Sequence, residues 1–223
     1  MSRLGARLAL AAGCVAGCVA LLVGCGSTTG GNEGPAAIVH GSGGDGAYAG
    51  VDVDPGFALP DATLITDAGR RVRLARDLDA PVRVFFYGYT QCPDICSVVL
   101  ADLTVAVARL PSDLADDVSV VLVTSDPARD TPAALRTYLD RFNPDFTGLT
   151  GDLDTIVETA LAMGVAIEEG PRLPSGGYEV AHGAELVGYL RDEGVVVWPQ
   201  GTPVADLQAD LTRMVLAARA RTG

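Results

Sequence analysis

Lysine is absent from this 223-residue chain: all 16 cationic side chains are arginine, against 28 acids, for a net charge of −12. So acidic a surface repels nucleic acid and anionic lipid headgroups, which excludes nucleic-acid binding and means that charge cannot hold the protein to a membrane. Beyond the first 24 residues no segment is long and apolar enough to span a bilayer, which takes roughly 20 residues. Histidine is scarce, with only His40 and His182. Cysteine is sparse as well: Cys14, Cys18 and Cys25 cluster at the N-terminus, leaving Cys92 and Cys96 for the rest of the chain.

The N-terminus carries a pattern of its own. Arg3 and Arg7 precede the apolar run Leu8 to Val23, which closes in Leu22-Val-Gly-Cys25. Residues 1–24 read as a lipoprotein signal, with Cys25 the first mature residue and its sulfur the lipid attachment point. A plain signal peptide or signal anchor is the alternative. Cleavage removes two arginines and no acids, taking the charge from −12 to −14. The expected location is the extracytoplasmic face of the cell membrane, held by more than one acyl chain. Residues 25–54 read as the flexible tether, with nine glycines between Gly26 and Gly50. Such a segment spans roughly 25–30 Å. His40 lies there and is assigned no role.

Residues 55–223 read as one domain, long enough to bury a core without help from metal or disulfide. Phe57 to Leu78 suggests a β-hairpin turning at Asp67-Ala-Gly69. A buried strand follows at Val82 to Tyr89, then a helix to Leu110, a strand at Val118 to Thr124, and a helix from Thr131-Pro132 to about Phe142. Asp152 to Met163 reads as a helix, Val165 to Glu168 as a short strand, 185–190 and 195–198 as a hairpin, and Pro203 to Ala220 as a final helix. Parallel strands flanked by helices give an α/β class. The order predicts a thioredoxin-like three-layer sandwich with an N-terminal β-hairpin.

The stretch Cys92-Pro-Asp-Ile-Cys96 sits where the first core strand meets its helix. Residues four apart share a helix face, so both sulfurs can address one partner sulfur or one soft metal ion. A disulfide across three residues closes too small a loop to constrain the unfolded chain much, so a purely structural bridge makes poor use of the spacing. Free N–H groups at the helix start favour anionic sulfur, while Asp94 opposes it. His182, the one histidine of the domain, fits a structural histidine as well as a ligand or catalyst. Taken together, Cys92, Cys96 and His182 are a soft set suited to copper, with thiolates favouring Cu(I). They are too few for a closed structural zinc site.

Three blocks, Tyr89-Thr-Gln-Cys-Pro-Asp-Ile-Cys96, Ser125-Asp-Pro-Ala-Arg-Asp-Thr-Pro132 and Thr147-Gly-Leu-Thr-Gly151, resemble the Sco/SenC copper chaperones. The resemblance covers about residues 56–220. It implies one copper ion, Cu(I) or Cu(II), per domain, held by Cys92, Cys96 and His182. It further implies an upstream copper donor and delivery to the dinuclear copper site of cytochrome c oxidase subunit II or another extracytoplasmic copper protein, with reduction of the recipient's thiols as a second role. Two departures stand out: Ser97 replaces the family's proline after the second cysteine, and Tyr189 lies farther from His182 than the family spacing. A bulge near Gly183 or Gly188 absorbs the latter. Asp126, Arg129 and Asp130 read as a helix-entry loop with a local ion pair and cap, Tyr87 and Tyr89 as packing residues, and Trp198 as core.

Two further absences weigh the alternatives. Tyr178 to Glu185 contains no proline, whereas thioredoxin-like oxidoreductases carry a cis-proline opposite the cysteines. No threonine stands three residues before either cysteine, as a peroxidase relative would need. Thiol–disulfide exchange remains the alternative function, with Cys92 attacking, Cys96 resolving, and the pair cycling through a redox-active disulfide. His182→Ala separates the readings: it is expected to cripple copper binding and leave disulfide exchange largely intact. Unchanged copper affinity in a chelator competition would sink the three-ligand set.

Overall fold

Side-chain alternation along two neighbouring strands sets the layers. The computed structural model describes residues 38–39, 46–93, 95–172 and 178–221, with the side chains of 38–39, 168–172 and 178–182 outside that description. Cys25, His40 and Asp94 lie outside the described residues. The strands are β1 (Ile38–Val39), β2 (Val51–Ala58), β3 (Thr63–Thr66), β4 (Arg71–Arg73), β5 (Val82–Gly88), β6 (Val118–Thr124), β7 (Thr147–Thr150), β8 (Ile167–Arg172), β9 (Tyr178–His182), β10 (Leu186–Leu190) and β11 (Glu193–Trp198). The helices are α1 (Ile95–Ala108), α2 (Ser112–Ala115), α3 (Pro132–Leu139), α4 (Leu153–Ala162) and α5 (Val204–Ala220).

Every residue of β5 is buried, so the strand is covered on both faces. Val82, Val84 and Phe86, with Val120 and Leu122 of β6, pack against α1, α3 and α5. Phe85 and Tyr87, with Val121 and Val123, face the other way, onto α4 and the β3–β4 hairpin. Burying each large apolar side chain contributes roughly 1.5–3 kcal/mol, so these two clusters carry the fold. Nine strands form one sheet in the order β1-β2-β11-β10-β5-β6-β7-β3-β4, and β8 and β9 pair separately. The central trio β5, β6 and β7 is parallel, while β10 runs antiparallel to β5. Parallel neighbours require crossovers; α1 and α3 supply them on the same face, as right-handed connections demand. The result is a three-layer α/β sandwich.

Local chemistry fixes the helix starts. Thr131 accepts a hydrogen bond from the Ala134 N–H at 3.2 Å, and Pro132 takes the first helical position of α3. Asp152 caps α4 by accepting from Asp154 and Thr155. Gly69 turns β3 into β4 with φ +75°, a conformation that favours glycine. The hairpin is shorter than its sequence signal, because Phe57 and Ala58 belong to β2 and pair with Gly194 and Glu193 of β11. Strand β2 begins at Val51, ahead of the domain start read at 55. Strand β7, read only as a motif, is short and glycine-bearing; the short strand read at Val165 to Glu168 appears as β8 from Ile167 on, while its partner β9 was not anticipated. The bulge expected near Gly183 or Gly188 to absorb the His182–Tyr189 spacing is not found in β10, which keeps an unbroken register with β5; the register shift at Gly188/Tyr189 against β11 leaves Val195 of β11 as the extra residue.

The N-terminal edge hangs on one buried acid. Asp210 of α5 accepts hydrogen bonds from the Trp198 Nε1–H at 2.8 Å and from the backbone N–H groups of Ala49 and Gly50. Trp198 is fully buried, and a Cβ on Gly50 would lie 2.6 Å from its ring, so only glycine permits the approach. Asp210→Ala strands these donors and is expected to destabilise the fold by about 2–4 kcal/mol. Urea unfolding followed by Trp198, the single tryptophan, measures it; a loss below about 0.5 kcal/mol would contradict the assigned role.

Candidate metal centre

Cys92 lies in the connection from β5 to α1 and Cys96 in the first turn of α1, at the carboxyl end of the parallel strands. Neither is in a disulfide; Cys92 is half-buried and Cys96 has no exposed surface. The Cys96 backbone N–H donates to the Cys92 sulfur at 3.4 Å. A sulfur four residues back thus takes one of the free donors at the helix start. Behind them, Gly88 leaves room: a Cβ there would lie 3.1 Å from the Cys96 sulfur and 2.9 Å from the Phe86 ring. Burial, then the hydrogen bond with Cys92, pushes the Cys96 thiol well above its ordinary value of 9.0.

The loop ahead of the thiols is held by Asp130. Its carboxylate accepts from the Thr90 backbone N–H at 2.9 Å, the Thr90 hydroxyl at 2.5 Å and the Thr124 hydroxyl at 2.7 Å. This differs from the local cap expected of Asp130: Thr131 caps α3, and Asp130 instead ties the cysteine loop to the end of β6. Arg129 does pair with Asp126, as read, and its guanidinium lies 5.7 Å from the Tyr89 ring centroid. Tyr89 packs beside Cys96, whereas Tyr87 belongs to the opposite face of the sheet and donates to the Met163 sulfur at 3.4 Å.

One neighbour was missed in the sequence. Tyr138 of α3 is 5% exposed, and burial followed by the nearby Cys96 and Cys92 sulfurs pushes its hydroxyl above the ordinary 10.0. The available signal was a phenol on the buried face of a helix beside Leu135 and Leu139. His182 ends β9, paired through its backbone with Ile167, and its side chain lies outside the described residues. Among the described residues, no group of three or more His, Cys, Asp or Glu side chains gathers as a metal site. The described part of the site is therefore a dithiol. Two soft donors, one half-open ahead of α1 and one buried in its first turn, fit a thiophilic ion with an exchangeable position.

The SCO1/SenC family model matches residues 58–216. The chain belongs to the SCO1/SenC family. A Stutzerimonas stutzeri protein named for copper binding is 33% identical over 158 residues, covering 69% of this chain and 71% of that protein. The mitochondrial SCO2 homologue of Bos taurus is 33% identical over 123 residues, covering 55% of this chain and 46% of its own length. Copper-bound ScoI of Bradyrhizobium japonicum aligns with a TM-score of 0.61 at 29% identity, over 68% of this chain and 96% of that one. The fold this SCO1/SenC protein shares with its structural neighbours is thioredoxin-like.

Cys96 and the buried Tyr87, Tyr138 and Tyr189 are all held neutral by burial, their acidities pushed above the ordinary 9.0 and 10.0. An unfolded chain releases protons that the folded SCO1/SenC domain retains. Their contribution is therefore complete below the ordinary values and is lost as pH climbs past them. The urea midpoint is expected to fall between pH 7 and about pH 10.5, and an invariant midpoint would refute this burial. The exposure difference also orders the thiols: iodoacetamide should label Cys92 at least about tenfold faster than Cys96, read by peptide mapping.

Proposed function

We propose that this protein is a membrane-tethered copper metallochaperone. The observation that carries the proposal is the dithiol itself: Cys92 half-open just ahead of α1 and Cys96 buried in its first turn, with no disulfide between them. Membership of the SCO1/SenC family and the copper-bound ScoI neighbour support copper as the cargo. One ion is held by Cys92, Cys96 and His182. The buried sulfur keeps its hold while the open one exchanges. A recipient thiolate attacks the ion from the solvent side, displaces Cys92, and draws the ion away.

The recipient in this reading is the dinuclear copper site of cytochrome c oxidase subunit II, as the family resemblance implies, and an extracytoplasmic donor loads the protein. Cys25 carries the lipid that fixes the domain at the outer face of the membrane. Binding needs deprotonated thiols and a neutral imidazole, so affinity falls as pH falls.

Thiol–disulfide exchange is the second reading, favoured by the same difference in exposure. Cys92 is the sulfur a partner can reach, and Cys96 sits one helical turn behind it to resolve a mixed disulfide.

Anaerobic titration with Cu(I) against a competing chelator tests the proposal on the full chain in detergent. The Cys92→Ser/Cys96→Ser variant serves as the blank for Cys14, Cys18 and Cys25. One-to-one binding that the blank lacks, and that oxidation abolishes, is the expected result. Binding no tighter than that of the blank would overturn the copper reading and leave exchange, whose measure is the pair's equilibrium with glutathione.

A further inference from the structure

Beside the cysteine loop lies an open groove of about 480 Å³, lined by Thr90, Ala133, Ala134, Thr137, Tyr138 and Arg141. A volume of that size takes a small molecule or a few residues of chain. All but Thr90 stand on one face of α3 and the turn that follows it, at spacings of three and four. Ala133 to Arg141 covers roughly 12 Å along the helix axis, the reach of three to four extended residues. The groove starts at the loop that carries the thiols. The Thr90 hydroxyl donates to Asp130, just ahead of α3, at 2.5 Å. Cys92 follows two residues later, its backbone N–H donating to the Tyr89 carbonyl at 3.2 Å. The groove ends at a cation. Arg141 is exposed, its Nε donates to the Tyr138 carbonyl at 3.4 Å, and its guanidinium lies over the Tyr138 ring, 4.5 Å from the centroid. Among the described residues no carboxylate pairs with it. Arg129, at the loop end, is already paired with Asp126.

We propose that this groove seats an extended stretch of the protein that exchanges with Cys92, and that Arg141 selects partners bearing an acidic side chain about four residues from the reacting sulfur. Small side chains at Ala133, Ala134 and Thr137 leave space for a main chain to lie along α3, and the Tyr138 ring is its apolar floor. Stacking holds the guanidinium in place before a partner arrives, which lowers the ordering cost of binding. Charge argues for an acidic occupant. The chain carries a net −12, so its general field repels an anionic segment, and only a local cation reverses the sign. This inference rests on exchange at Cys92, which the copper and disulfide readings share. It goes beyond both by naming what the partner carries beside its own sulfur.

End-blocked peptides of about five residues test it on the full chain in detergent, reduced and metal-free, with the double-serine blank subtracted. Each carries cysteine at one end, as a mixed disulfide with thionitrobenzoate, and glutamate or glutamine at the other, in both orders. The Cys92 thiolate, its proton lost to buffer, attacks the peptide sulfur. A Cys92–peptide disulfide forms, and thionitrobenzoate leaves with the electron pair of the broken S–S bond, read by absorbance. Cys96 then displaces the peptide, which takes up a proton and departs as a thiol. Each variant's rates are divided by its iodoacetamide rate at Cys92, so that a change in the thiol itself cancels. In one of the two orders the glutamate peptide should react about threefold faster than its glutamine counterpart, and Arg141→Gln should abolish or invert that preference. Thr137→Phe, at an exposed position, fills the groove and should slow both peptides about threefold while the iodoacetamide rate holds. Glutamate no faster than glutamine in either order would overturn the proposal, as would a preference that survives in Arg141→Gln. No reaction with any peptide would overturn it too, because Cys92 would then be closed to a partner chain. Failure of the wild type to bind Cu(I) removes the copper reading alone and leaves the peptide result to decide the groove.

Discussion

The Asp130 carboxylate, buried and accepting three hydrogen bonds, is the interaction on which the site depends. Two of those bonds come from Thr90, two residues ahead of Cys92, and the third from Thr124, the last residue of β6. A buried carboxylate without donors is costly enough to disrupt its surroundings; with three it becomes a rigid post. The loop at the end of β5 therefore cannot drift from the end of β6. The Ser125 N–H, donating to the Gly88 carbonyl at 2.8 Å, repeats the tie through the backbone. Helix α1 begins from a fixed point, and the two sulfurs inherit that position.

The unequal burial of the two thiols follows from how α1 lies on the sheet. Cys96 shares its face with Val99, Leu100 and Leu103, which pack onto Val84, Phe86 and Leu122. Cys92 precedes the first helical residue and stays at the rim. A site of this form is asymmetric before any ligand arrives: one sulfur is available to collide with a partner, the other is protected. The chemistry that suits it is transfer by exchange, of an ion or of a disulfide, in which one ligand is surrendered first and the other last.

A second anchor works on the same face, toward the β2 edge of the sheet. Asp210 gathers Trp198, Ala49 and Gly50, so α5, β11 and the segment entering β2 share one acceptor. Both anchors are aspartates in apolar surroundings, and both join pieces of chain distant in sequence. The acidity of this protein is thus not confined to its surface. At these two positions carboxylates organise backbone that would otherwise lack partners.

The sequence alone determined the strand–helix alternation, the helix starts at Thr131 and Asp152, and the Cys92–Cys96 pair at a strand–helix junction. Each of these is written in local periodicity, cap chemistry or spacing, over a few residues that interact with their own neighbours. It also pointed to the Asp-Pro-x-Arg-Asp block and read Arg129 there as paired with an acid, which the structure shows to be Asp126. Only the tertiary structure decided that Asp130 serves the cysteine loop rather than its own helix, because its partner Thr90 is 40 residues away. Likewise, Phe57 and Ala58 left the hairpin for β11 because strand pairing is settled by which edge lies open, which no local pattern records. Tyr138 looked like any core aromatic on an amphipathic helix. That its hydroxyl is buried without a hydrogen-bond partner depends on how α3 packs over the sheet, a three-dimensional relation that residue spacing along one chain does not encode.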